Sequence, residues 1–365
     1  MNQNIDSRLN TFFIITILAG IFLGWINKNS MQYVECKSEN VRIPKGGLLF
    51  VIIFGIADIV YARDIPLLAI LSGRRLYGEF DGLPVIHSLV VNAAIFYSSY
   101  FFYLFLESKI KIRLIQSLIP LVYLLLLFLK GATIMCLCSF VILAISKTSI
   151  YKKIFNIKTV FYVVFVTLLI AYLNGGMTNL RSQRAWNDSS LIMAVGQIND
   201  KWPTWLPTQF AWVYSYLTSP LANLNLNVIK PLAKYSVSGF VVSFLPLIIS
   251  KNLFPNFGKL TENYLMYTPV LNACTGFIEA SAAAGILGVY LFAILMFTFM
   301  YIISRHIRKN RRGVNSVYYS LMCTIMIFMF FYNTFRDAST SLIIYFILLD
   351  MKLSNVKFTF NRRII

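Results

Sequence analysis

Long apolar runs set off by short basic stretches make up most of this chain, and one long, more polar segment from about Gly175 to Gly285 interrupts them. A helix needs roughly 20 apolar residues to cross the hydrocarbon of a bilayer, with about 17 as a practical minimum. That rule predicts spans near 11–27, 46–62, 83–106, 114–129, 131–146, 158–174, 285–304, 315–333 and 338–351. A further run, Val237 to Ile249, is shorter and contains Pro246, so it reads as a half-span or an interfacial segment. A full crossing there would require Leu265 to Ala284 to bring the chain back. The expected fold class is an all-α polytopic membrane protein with about 9–11 transmembrane helices and one large loop. Residues 1–174 form an N-terminal membrane block with a loop at 63–82, residues 175–284 the large loop, and residues 285–365 a second membrane block with a tail.

Composition points the same way. With 58% hydrophobic and 13% charged residues, against about 25% charged in soluble domains, the chain cannot hide its apolar surface in one water-soluble core. The net charge of +19, from 33 Lys+Arg and 14 Asp+Glu, would suggest nucleic acid in a soluble protein. Here no polar basic face suited to nucleic acid is present; cytoplasmic loops collect Lys and Arg, and anionic lipids attract them. The basic residues cluster as Lys109, Lys111 and Arg113; Lys147, Lys152, Lys153 and Lys158; Arg305, Arg308, Lys309, Arg311 and Arg312; and Lys352, Lys357, Arg362 and Arg363. These four regions are expected in the cytoplasm. The Lys130–Gly131 turn, the 63–82 loop, the 175–284 segment and the Asn333–Asp337 turn then share the exterior face, as does Met1, with Lys28 to Lys45 inside. The first run, Phe12 to Trp25, has no small-residue cleavage site and reads as a retained span. Cys36, Cys136, Cys138, Cys274 and Cys323 fall mostly within apolar runs and imply neither a disulfide framework nor a zinc site.

Candidate chemistry concentrates on the exterior side. Arg63, Asp64, Arg74, Arg75, Tyr77, Glu79, Asp81 and His87 lie among glycines and Pro84, a loop suited to folding against a ligand. Arginine holds phosphate through paired, charge-assisted hydrogen bonds. The long segment opens with Gly175 and Gly176, followed by Arg181 and Arg184; a helix beginning after the glycines would set both arginines on one face, able to grip a pyrophosphate. Trp202, Trp205, Trp212, Tyr214 and Tyr216 read mainly as an interfacial belt. Among Asp188, Asp200, Glu262 and Glu279, Glu262 is the candidate general base, because it precedes the return to the membrane. Arg336, beside Asp337 in a short turn, would supply a third cation. There is no P-loop, no zinc-protease helix motif, no serine-hydrolase elbow and no Asp-x-Asp pair, and the histidines are His87 and His306. No metal or cofactor is called for.

This layout resembles the oligosaccharide repeat unit polymerases, the Wzy-type O-antigen polymerases. The resemblance is carried by the glycine-flanked arginines after the middle span, a large loop with Ser219-Pro220-Leu221-Ala222-Asn223-Leu224, the return at Thr261-Glu262-Asn263-Tyr264, then Gly276-Phe277-Ile278-Glu279 and Gly285-Ile286-Leu287-Gly288-Val289. It implies a metal-independent, inverting glycosyltransferase of GT-C-like fold in the bacterial inner membrane, working at the periplasmic face on undecaprenyl-pyrophosphate-linked oligosaccharides, alongside a chain-length regulator and a flippase. Catalysis would rest on Glu262, Arg181 and Arg184, and substrate binding on Arg74, Arg75, Tyr77, Glu79, His87 and Arg336. O-antigen ligases look similar but carry a histidine in the loop before the return, whereas this chain has none from 88 to 305. The alternatives are such a ligase, or a flippase whose arginines line a translocation path.

Overall fold

The computed structural model describes residues 4–26, 45–74, 80–147, 157–198, 202–230, 236–254, 264–309 and 313–361, and among these the chain is helical with no strand. The helices are α1 (Ser7–Ile26), α2 (Lys45–Ala62), α3 (Pro66–Leu71), α4 (Ile86–Ser108), α5 (Lys111–Leu126), α6 (Lys130–Lys147), α7 (Ile157–Arg181), α8 (Ser190–Gly196), α9 (Gln209–Ile229), α10 (Val237–Val242), α11 (Leu247–Leu253), α12 (Ile278–Lys309), α13 (Val314–Phe328) and α14 (Ala338–Asn361). Two of them, α4 and Ile278–Ile307 of α12, are long and apolar enough to cross a membrane. Shorter apolar stretches lie in α1, α2, α6 and α13.

The contacts between helix ends set the directions. Asp58, late in α2, meets His87 at the start of α4 and Tyr123 late in α5. Lys130 begins α6 beside Thr178 near the end of α7. Asn92, early in α4, bonds the Ala338 carbonyl that opens α14, and Gly276, just before α12, donates to Met329, just after α13. One end of the bundle, the near end, therefore gathers the starts of α4, α6, α12 and α14 and the finishes of α2, α5, α7 and α13. The start of α1 joins them through Leu9 and Phe12, which pack on Leu224, Val289 and Ala293. Consecutive long helices thus run in alternate directions, as short connections demand. The central cluster is built mainly from α4, α5, α6, α12, α13 and α14. Where α6 and α13 meet, Ser139 and Ser320 share a 3.0 Å hydrogen bond, so small residues let the two helices close up.

The outward faces of the long helices are apolar. Ile14, Ile17, Leu18 and Ile21 of α1, Leu168 and Ile170 of α7, and Ile294 and Ile302 of α12 are all exposed. Surface apolar area of that extent marks a contact with lipid or with another protein.

Several boundaries differ from the expectation. α7 does not stop before Gly175 but runs through both glycines to Arg181. A Cβ on Gly175 would strike the Gln209 carbonyl, and one on Gly176 the Trp186 ring, so these glycines serve close helix packing and do not break the helix. α13 ends at Phe328, and residues 329–337 form turns instead of a last helical turn. α12 starts before Gly285 but is interrupted there, with Ala284 at φ −147° and Gly285 at φ 60°, ψ −150°, a backbone region reserved for glycine.

The 237–249 run forms α10 and α11, parted at Pro246, the N-cap of α11. Ser236 donates to Ala283, and Leu247 to Arg336, so this strap stays at the near end. α9 stays there too. Its first residue touches Gly175 of α7, while Asn225, near its finish, bonds Asn4 and Asp6 before α1. Both termini of α9 meet near-end elements, so the helix lies across that end as a bar.

Candidate functional site

Most of the ionisable contacts described below gather at the near end. Lys130 Nζ donates to Thr178 Oγ1 at 3.0 Å and sits 4.9 Å from the centre of the Phe128 ring. It is largely buried, and Arg181 at the end of α7 lies within electrostatic reach of it. The N-terminus of α6, where Lys130 stands, adds a partial positive charge of its own. Basic side chains from two helices near one helix N-terminus favour an anion there.

The two arginines expected to act together have separate surroundings. α7 ends at Arg181, the chain turns through Gln183 at φ 56°, and Arg184 lies outside the helix. Arg184 reaches Asp188 at 3.4 Å and Ser190 at 3.2 Å. The shared helical face expected for the pair is absent, because the helix starts eighteen residues before Gly175 (157 against 175) and is exhausted by Arg181. Asp188 is kept below the usual carboxylate range by hydrogen bonds from the Ser190 hydroxyl and amide.

Arg336 is paired instead of free to serve as a third cation. Its guanidinium bonds Glu279 Oε1, and Glu279 Oε2 accepts from Asn333 Nδ2 at 2.6 Å. The same Asn333 amide donates to the Ser243 carbonyl at 2.7 Å, tying the strap to the pair. Side-chain exposures of 15% and 14% make this a shielded ion pair. Sequence reasoning passed over Glu279 as one acid among four; only the fold brings it to a residue fifty-seven positions away.

The stretch 264–274 is held to α9 by asparagines. Asn223 Nδ2 donates to the carbonyls of Leu271 and Ala273, and its Oδ1 accepts from Tyr267 N–H. Asn227 exchanges hydrogen bonds with both the amide and the carbonyl of Leu265, at 2.8 Å each. Each amide thus satisfies backbone groups that burial would otherwise strand. Burial pushes the Cys274 thiol up to about 12, which keeps it protonated and a poor nucleophile. Among the aromatic residues expected in a belt, Trp205 is 80% exposed, but Trp212 is buried with its indole N–H on Asn179 Oδ1 at 2.6 Å. Trp212 is a packing residue that locks α9 to α7.

Asp58 is fully buried, and its carboxylate accepts from Leu83 N–H at 2.7 Å and from the Tyr123 hydroxyl at 2.9 Å, with His87 Nδ1 at 2.7 Å. It lies inside an apolar run, and an acid in such a place is the signal by which sequence alone could have found it. His87, by contrast, keeps a side-chain exposure of 28%. Arg74 lies exposed, its Nε on Ser72 Oγ at 2.9 Å, and takes no part in these clusters. Glu262, Arg75, Tyr77 and Glu79 lie outside the described residues.

Toward the other end, a cavity of about 330 Å³ opens between α2, α4, α13 and α14, lined by Phe50, Leu89, Phe96, Ile343 and Phe346. Asp350 closes its wall, accepting from the Tyr318 hydroxyl at 3.0 Å. Compared with protein families, with curated proteins and with solved structures, the chain matches none of them.

Proposed function

We propose that this chain is a polytopic inner-membrane glycosyltransferase of GT-C-like architecture that joins undecaprenyl-pyrophosphate-linked oligosaccharide repeats at the periplasmic face. The observation that carries the reading is that two basic residues, Lys130 at the start of α6 and Arg181 at the end of α7, lie within electrostatic reach of each other at one end of a bundle whose sides are apolar. A lipid pyrophosphate matches both features, since its charge suits the pair and its chain suits the flanks. The far end carries Lys109, Lys111, Arg113 and Arg305, which favours a cytoplasmic position for that end. The walls of the 330 Å³ cavity are mainly apolar, which suits a hydrocarbon chain.

In this reading the hydroxyl of one repeat attacks the anomeric carbon of another, and Lys130 with Arg181 stabilises the departing pyrophosphate. Cations placed where charge develops contribute more in a shielded site than in water. Glu279 and Arg336 brace the strap over that end. The test is polymerisation of a synthetic lipid-linked repeat by the purified protein in liposomes. Arg181→Ala and Lys130→Met are each expected to lower turnover roughly 10²-fold while the protein still reaches the membrane. Wild-type chain lengths in both variants would overturn the assignment, and translocation of the lipid without any polymer would establish the flippase alternative.

A further inference from the structure

The loop from Phe80 to Val85 is built around Asp58. Leu83 gives it a backbone N–H, and Gly82 passes so close that a Cβ there would lie 2.6 Å from Asp58 Oδ1 and 2.9 Å from His87 Nδ1. At Val85 the backbone turns through φ 65°, ψ −47°, with Ile86 N–H on the Pro84 carbonyl at 2.7 Å. This is a γ-turn of the rare, strained hand, and it is centred on a β-branched residue. Such strain persists only where surrounding contacts over-determine it, and it is concentrated at functional sites. What it secures here is the entry of α4, with His87 in its first turn.

The hydrogen bonds fix the orientation of that histidine. A buried carboxylate that already takes two donors is an acceptor toward Nδ1, so Nδ1 carries a proton, and in the neutral ring the lone pair is then on Nε2. Asp58 of α2 and, through it, Tyr123 of α5 are the titratable groups that hold the ring, and the Phe80 ring lies 5.3 Å away. Among the described residues nothing bonds Nε2, and the side chain is 28% exposed. An acceptor nitrogen oriented from behind by a buried acid is the arrangement of a general base.

We propose that His87 is the general base of the transfer, taking the proton of the attacking sugar hydroxyl on Nε2, and that Asp58 is the residue that positions it. This rests on the glycosyl-transfer reading above. As the hydroxyl oxygen forms its bond to the anomeric carbon, the bond from that carbon to the pyrophosphate oxygen breaks. The leaving pyrophosphate carries away the electron pair, and His87 leaves the step as imidazolium, which then gives its proton to water.

The experiment uses the full-length protein in liposomes with a synthetic polyprenyl-pyrophosphate-linked repeat. His87→Ala is expected to lower kcat by about 10²–10⁴-fold with little change in KM, and added imidazole to restore part of the rate. The wild-type rate is expected to fall at acid pH along a limb that the His87 variant lacks. Asp58→Asn is expected to lower kcat and to displace that limb, which loss of packing alone would not do. If either variant fails to accumulate, the wild-type profile decides, and a rate that does not fall toward acid pH overturns the proposal. Polymer from the wild type with an undiminished His87→Ala rate overturns the base assignment and leaves the transfer reading standing. No polymer from the wild type overturns both.

Discussion

Removing the guanidinium of Arg336 leaves the Glu279 carboxylate shielded from water with, among the described residues, only Asn333 to hold it. Stripping one partner from a shielded ion pair typically costs about 3–5 kcal/mol, whereas replacing both with neutral groups of similar size costs far less. Arg336→Met is therefore expected to lower the thermal midpoint of the detergent-solubilised protein markedly, and Glu279→Gln made together with Arg336→Met to recover most of that loss. A midpoint unmoved by Arg336→Met would show that the pair does not brace the strap. The contrast with Arg184 is instructive, since its contact with Asp188 is exposed and spans a local loop; solvent screens such pairs and they contribute little. Neither environment is visible in the chain as written, where Arg336 simply stands beside Asp337 and Arg184 four residues before Asp188.

At the scale of helices, the glycines of α7 and α12 have opposite roles. Gly175 permits contact between two helices without any unusual backbone angle, so its replacement by Ala must push the start of α9 away from α7. Overpacking of this kind costs about 1–3 kcal/mol. Gly285 meets nothing within 4 Å, and its demand is purely on the backbone, at φ 60°. Gly285→Ala is expected to cost a similar amount, about 1–3 kcal/mol, by straightening or straining the break in α12. The two variants are separated by a second-site change: trimming Trp212, the other lock between α7 and α9, should couple to Gly175→Ala and act independently of Gly285→Ala in a double-mutant cycle. Both glycines were legible as breaks in the apolar pattern. Their meaning was not, because spacing along one chain cannot distinguish a kink from a contact.

For the molecule as a whole, the alternation of long helices makes a prediction about sides. With the native cysteines replaced, Ser72→Cys is expected to react with a membrane-impermeant maleimide from the face on which the near end lies. Ser108→Cys should react only after the membrane is opened, since Ser72 follows α3 at the near end and Ser108 finishes α4 at the far one. Thr204→Cys and Lys230→Cys, flanking α9, are both expected to behave like Ser72→Cys, because α9 lies across the near end. Opposite labelling of those two positions would mean that α9 crosses.

Read by itself, the sequence determined that the chain is helical and where most of its long helices lie, because a long apolar run leaves the backbone few ways to satisfy its own polar groups. It also determined which helix ends are basic. The pairing of Glu279 with Arg336, the exit of Arg184 from α7, the approach of Lys130 to Arg181 and the Asp58–His87 dyad were decided only by the tertiary structure. Each joins side chains from different segments or depends on where a helix stops, and hydrophobic periodicity specifies a helix's buried face but not which neighbour it meets or at what height.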